Sequence, residues 1–192
     1  FSAVYAGTAT NTSPIPFEIT FTETIATSTF ALDKINVSGG TASALTTKTD
    51  GLKYSFEVTP SANGTVSVTM VEGQVLDQAG NSNLVATPAS MLYDTVRPTV
   101  TLLPDRTITN GTFLLTVTFS EAMKGFDASD LFCENCVPGV ATPDPDPLNT
   151  DIVWTVVLTA GPGSPATVKV KENIVDDLAG NLNIVSNEIS VN

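Results

Sequence analysis

Apolar and polar residues alternate with a period of two along most of this chain. In Phe113-Leu114-Leu115-Thr116-Val117-Thr118-Phe119, the residues Phe113, Leu115, Val117 and Phe119 share one face. Phe17-Glu18-Ile19-Thr20-Phe21, Thr65-Val66-Ser67-Val68-Thr69-Met70 and Ala166-Thr167-Val168-Lys169-Val170 follow the same rule. Such alternation, rich in β-branched residues, predicts half-buried strands. Turn signals separate the runs: Asp50-Gly51, Asn63-Gly64, Asn110-Gly111 and Gly161-Pro162-Gly163. No segment carries a helical period. Six or seven short strands in each half predict an all-β fold, in which two sheets bury one inner face each.

The pattern occurs twice. Phe21-Thr22-Glu23 returns as Phe119-Ser120-Glu121, and Tyr54-Ser55-Phe56-Glu57-Val58 as Trp154-Thr155-Val156-Val157-Leu158. Asp77-Gln78-Ala79-Gly80-Asn81-Ser82-Asn83-Leu84 returns as Asp177-Leu178-Ala179-Gly180-Asn181-Leu182-Asn183-Ile184. Repetition at this spacing means two copies of one small domain in tandem, over residues 1–93 and 94–192. The 192 residues give each copy enough chain for its own core. The boundary falls near Tyr93-Asp94-Thr95-Val96-Arg97-Pro98, where a short connection is stiffened by proline. Phe1 to Tyr5 is expected to match the strand at Thr99 to Leu103. Asn192 then falls where Asp94 falls. The chain reads as a two-repeat unit cut in register, from a longer array or as a head-to-tail subunit. Copy two alone has a proline-rich stretch from Val137 to Thr150. It is expected to be an exposed loop or edge, with Pro143-Asp144-Pro145-Asp146-Pro147 extended and solvated.

Composition narrows the function. Charged residues are 15% of the chain, below the usual quarter or so. The net charge is −12. An acidic chain without basic clusters argues against nucleic acid and anionic membrane as partners, and it suits cations. There is no histidine, which removes the commonest general base and metal ligand and any Ser-His-Asp triad. No apolar run is long enough to span a bilayer.

With these anchors placed, the order Asp94-Thr95, Pro98-Thr99-Val100, Phe119-Ser120-Glu121, Gly125-Phe126-Asp127-Ala128-Ser129-Asp130-Leu131 and Asp177 to Asn181 resembles the bacterial Ig-like repeats of large surface adhesins. Copy two matches along its length. Copy one is looser, with Thr27 to Asp33 in place of the Gly-Phe-Asp segment. The resemblance implies two tandem immunoglobulin-like β-sandwich domains, an extracellular or cell-surface setting, and calcium near domain junctions.

The candidate metal ligands are Glu23, Asp77, Asp94, Glu121 and Asp177. Calcium takes six to eight oxygens from carboxylates, carbonyls and water, and acids at a strand end, a turn and a linker can meet at one pole. The alternative is that Asp and Asn cap their own turns while Gly80 and Gly180 supply positive φ. Asp127 and Asp130 form a weaker pair. A carboxylate acid/base pair has no support, because the same acids recur in both copies. Cys133 and Cys136 lack the further ligands of a zinc site and are expected to form a small disulfide in an oxidising compartment. Asn11, Asn36, Asn63 and Asn110 open glycosylation sequons. Tyr54 and Trp154 read as core aromatics.

The expected function is non-catalytic: a rigid spacer in an adhesin stalk, or a subunit of an extracellular filament. Calcium is its only candidate cofactor, and its partners are neighbouring Ig-like repeats or copies of itself. Two alternatives stand beside it. One is a glycan- or protein-binding module using the proline-rich loop. The other is an accessory domain pair of a secreted hydrolase.

Overall fold

The computed structural model describes residues 1–49, 51–105, 111–162 and 165–191. It divides into two compact units, Phe1–Thr95 and Val96–Asn192. In the first, β1 (Ser2–Ala3), β3 (Ile15–Thr20), β6 (Lys53–Pro60) and β5 (Gly40–Thr49) form one sheet in the order β1-β3-β6-β5. The facing sheet runs β2-β8-β7-β4, from β2 (Ala9–Thr10), β8 (Ala89–Tyr93), β7 (Gly64–Thr69) and β4 (Asn36–Ser38). The strand period of two sends Ile15, Phe17 and Ile19 inward from β3, and Tyr54, Phe56 and Val58 from β6. They meet Val66, Val68, Met70 and Met91 from the other sheet in one core.

The second unit repeats this plan. Its larger sheet runs β12-β13-β10-β9, from β9 (Val100–Pro104), β10 (Gly111–Phe119), β12 (Cys136–Pro143) and β13 (Val153–Ala160). The opposing sheet joins β11 (Leu131–Glu134), β14 (Ala166–Val170) and β15 (Ile189–Val191). Trp154 replaces Tyr54, and both rings are buried. Trp154 meets Phe119 and Phe126 edge-on or tilted, at centroid distances of 5.5 and 5.3 Å. Such aromatic contacts add about 0.5–1.5 kcal/mol each beyond burial.

Two local expectations are corrected. Ser2 lies opposite Glu18, and Leu103 lies opposite Thr116, the counterpart of Glu18. Phe1 therefore corresponds to Leu102, three residues along from the expected Thr99. The proline-rich stretch does supply the expected edge, but its Pro143 to Pro147 piece is not extended. Cys136–Pro143 is a sheet-edge strand paired with β13, with a bulge between Pro138 and Ala141. An edge tolerates proline because one side of the strand needs no donors. Beyond it, Asp144 accepts from the Asp146 N–H at 2.9 Å and from Asn149 Nδ2 at 3.2 Å. Asp146 accepts from the Leu148 N–H at 3.0 Å. These side-chain turns fold the Pro-Asp-Pro-Asp-Pro piece back on itself.

Candidate functional site

The recurring acids first hold their own turns. Asp177 Oδ1 accepts from the backbone N–H groups of Ala179, Gly180 and Asn181 at 2.7–2.8 Å. Its Oδ2 takes Asn181 Nδ2 at 2.9 Å. Gly180 sits at φ 96°, a conformation that costs glycine little. Asp77 repeats the device. Its Oδ1 accepts from Ala79 and Asn81 N–H, its Oδ2 accepts from Asn81 Nδ2, and Gly80 is at φ 91°. The Asn81 side chain, above all, then the Asn81 amide and, after an opposing desolvation, the Ala79 and Gly80 amides hold the Asp77 carboxyl below its ordinary value.

Two residues on, Asn183 is fully buried. Its Oδ1 accepts from Ile174 and Val175 N–H, both at 3.0 Å, and its Nδ2 donates to the Lys171 and Ile184 carbonyls, both at 2.8 Å. Asn83 makes the same four bonds, to Gln74, Val75, Val71 and Leu84. The recurrence of this asparagine was visible in the repeat, but its burial was not.

Of the five candidate ligands, Glu121 and Asp177 come together in the second unit, their carboxylate oxygens within 4.8 Å of each other, with Asp177 buried and Glu121 half-buried. Asp94 belongs to the first unit. Asp177 Oδ1 is already engaged by three amides. A cation in the second unit would draw on Asp177 Oδ2 and the Glu121 carboxylate. These are hard oxygen donors of the kind calcium takes, but they supply fewer than its usual six to eight. Backbone carbonyls and water would have to complete the shell. Glu23 and Asp77 line a cleft in the first unit. No third acid joins them among the described residues.

Asp127 and Asp130 form a capping box around a 3₁₀ turn at Ala128–Asp130. Asp127 accepts from Ser129 N–H and Oγ at 2.6 Å, and Asp130 Oδ2 accepts from the Asp127 N–H at 2.9 Å. These contacts explain the pair without a ligand. Cys133 and Cys136 are disulfide-bonded, with their Cα atoms 5.4 Å apart. The bridge flanks the point where the chain crosses from one sheet to the other. Asn135 stands there at φ 53°, where the first unit has Gly39 at φ 79°. In both, the crossing residue's carbonyl takes an N–H from the end of the neighbouring strand, from Ser61 or Gly161. Asn tolerates the left-handed region better than most residues, and the disulfide pins the chain on either side of it.

The sequons are scattered. Asn36 is exposed on β4. Asn63 Oδ1 accepts from Thr95 N–H at 3.2 Å and Oγ1 at 2.9 Å. Asn11 follows β2, and Asn110 lies outside the described residues.

The sequence reading missed Arg97. Its Nε donates to the Leu182 carbonyl at 2.9 Å, and its Nη2 to the Asn183 carbonyl at 2.7 Å and Asn173 Oδ1 at 2.6 Å. Its partners are mostly backbone atoms some eighty-five residues away, so no local motif marks it.

This chain is similar to three solved structures. An Escherichia coli adhesin, FdeC, is 15% identical, with a TM-score of 0.53 over 96% of this chain and 62% of that one. The Yersinia pseudotuberculosis adhesin InvE is 19% identical, with a TM-score of 0.34, covering 99% of this chain and 57% of that one. Yersinia pseudotuberculosis InvD is 15% identical, with a TM-score of 0.46, covering 99% and 55%. This chain thus spans less than two thirds of each. At these identities the likeness, carried by FdeC, concerns the fold alone. No curated protein matches the sequence. Both halves match one domain family, over residues 3–92 and 94–192. With two matches that together cover nearly the whole chain, this protein belongs to the bacterial Ig-like domain family.

Proposed function

We propose that this chain is a non-catalytic structural module, a tandem Ig-like spacer in a bacterial surface adhesin. One observation carries the reading: the Asp and Asn residues that recur between the copies hold each copy's own fold. Asp77 and Asp177 each cap a turn, and Asn83 and Asn183 each tie four backbone groups. Residues shared for chemistry would present free functional groups to a cleft. The family match and the Cys133–Cys136 bond, which suits an oxidising compartment, support an extracellular, surface setting. Neighbouring Ig-like repeats are the natural partners of such a module.

In this reading calcium is held by Glu121 and Asp177, and it stiffens the head of the second repeat by neutralising these two carboxylates. Chelation then lowers Tm, and Glu121→Ala reproduces the chelated value. Unchanged melting under chelation removes calcium from the account.

A recognition role has one observation in its favour. Val137, Val140 and Leu148 are 69, 83 and 84% exposed on the copy-two edge. The corresponding edge strand of copy one, β5, carries mainly Thr, Ser and Ala. The test is binding to a glycan array or to cell-surface proteins. Removing residues 137–150 would delete a sheet strand, so Val137→Ser, Val140→Ser and Leu148→Ser are the informative variants. Binding that those variants abolish replaces the spacer reading with a recognition module, and no binding leaves the spacer.

A further inference from the structure

The turn between β6 and β7 in the first copy carries Asn63-Gly64, where the second copy has Gly161 to Pro165 and no asparagine. Asn63 is exposed, and so is Thr95, the last residue of the first unit. Asn63 Oδ1 accepts two hydrogen bonds from Thr95, from its N–H at 3.2 Å and from its Oγ1 at 2.9 Å. A backbone N–H can only donate, so the atom held by Thr95 is the amide oxygen. The amide nitrogen, Nδ2, has no partner among the described residues. Gly64 stands at φ 137°, with nothing within 4 Å of the place a Cβ would take.

These are the parts of an intramolecular acyl transfer. The electrophile is Asn63 Cγ. Its carbonyl oxygen lies against two donors, the arrangement that stabilises negative charge developing on oxygen when a carbonyl is attacked. The nucleophile is the Gly64 nitrogen, which the chain keeps beside Cγ at high effective concentration. Gly64 has no side chain to obstruct its approach, and the space around it is open. The leaving group, Nδ2, is tied to nothing.

We propose that Asn63 is a self-modification site, which cyclises onto Gly64 and hydrolyses to aspartate and isoaspartate with Thr95 stabilising the transition state. Solvent hydroxide takes the Gly64 amide proton, and the nitrogen bonds to Asn63 Cγ. The Cγ–Nδ2 bond breaks, and Nδ2 leaves with its electron pair, takes a proton from water and departs as ammonia. The product is a succinimide ring. Water then opens the ring at one of its two carbonyls. Opening at Cγ leaves an aspartate; opening at the main-chain carbonyl leaves an isoaspartate, whose main chain runs through Cγ. One amide and one water become one carboxyl group and ammonia, and nothing is oxidised or reduced.

The step alters the end of the first unit. In the isoaspartate the turn is longer by one carbon, and the oxygen that held Thr95 belongs to the main chain. The tie between that turn and Thr95, where the connection to the second unit begins, is thereby disturbed. Glycosylation of the Asn63-Gly64-Thr65 sequon uses the same Nδ2, so the two modifications exclude each other.

The test follows the full chain at neutral pH, folded and in urea. Conversion at Asn63 is read by peptide mapping with mass spectrometry and by labelling with an isoaspartyl methyltransferase. Unfolding removes the Thr95 donors, which lie 32 residues away along the chain. Asn63 is expected to convert about fivefold or more faster in the folded chain than in urea. Thr95→Val removes the Oγ1 donor and keeps the N–H. It should slow the folded chain by about fivefold and leave the rate in urea unchanged. Conversion that is no faster in the folded chain than in urea overturns the proposal. So does an equal folded rate for Thr95→Val and the unchanged chain.

Discussion

Asn183→Ala is the sharpest single perturbation of this fold. The side chain has no exposed surface and makes four hydrogen bonds of 2.8–3.0 Å to backbone groups of Lys171, Ile174, Val175 and Ile184. Each bond is worth about 1 kcal/mol net, and a buried group left unpaired costs about 1–3 kcal/mol. The Val175 N–H bond is buried and the other three are partly so. Water therefore repairs some of the loss, and the expected cost is about 3–4 kcal/mol. A domain of this size has roughly 5–15 kcal/mol in all. At about 4–8 °C per kcal/mol, Tm of the second unit should fall by roughly 12–30 °C. The assay is urea and thermal unfolding followed by Trp154 fluorescence. Trp154 is the only tryptophan and is buried in that unit's core, so it reports the right transition. Asn183→Asp keeps the two acceptor functions but sets an oxygen against the Lys171 and Ile184 carbonyls, and it should be at least as damaging at neutral pH. A loss below about 1 kcal/mol in the alanine variant, within the range of ordinary surface changes, would refute the claim that this residue ties the turn to the sheet.

Replacing Cys133 and Cys136 together by serine removes a four-residue loop closure, worth about 2 kcal/mol on the chain-entropy account; the same fluorescence melt measures it. Gly39→Ala puts a Cβ 2.5 Å from the Thr65 carbonyl oxygen at φ 79°, so the first unit should lose more than about 1 kcal/mol, read by calorimetry. Asp77 is held below 3.8 by its turn, so its contribution is present at neutral pH and is lost as pH falls through the folded-state value. An NMR titration should place that midpoint below 3.8, and Asn81→Ala should move it upward.

The strands were legible because their inward residues are spaced by two. Phe113, Leu115, Val117 and Phe119 all proved buried, as did Tyr54 and Trp154. Misreadings arose where the period says little. The first strand is two residues long, too short for alternation to set its register, and Phe1 was placed three residues out. The prolines of Val137 to Thr150 point to a loop or an edge; the edge strand is present, but Pro143 to Pro147 is held in side-chain turns rather than extended. At the acidic pole, the motif Asp-x-Ala-Gly-Asn was plain, and so was its turn geometry. The meeting of Glu121 and Asp177 depends on two segments far apart in sequence. The roles of Arg97 and Asn183 also depend on long-range backbone partners, for which the sequence holds no local sign.

The central claim is that the chain is two separate, self-contained sandwiches in tandem, each with its own core. Pulling the chain from its ends in a single-molecule force experiment tests it most directly. Two separate unfolding events are expected, each releasing on the order of 300 Å of chain, the extended length of one copy. A single event releasing both copies at once, or a featureless extension without events, would contradict the account.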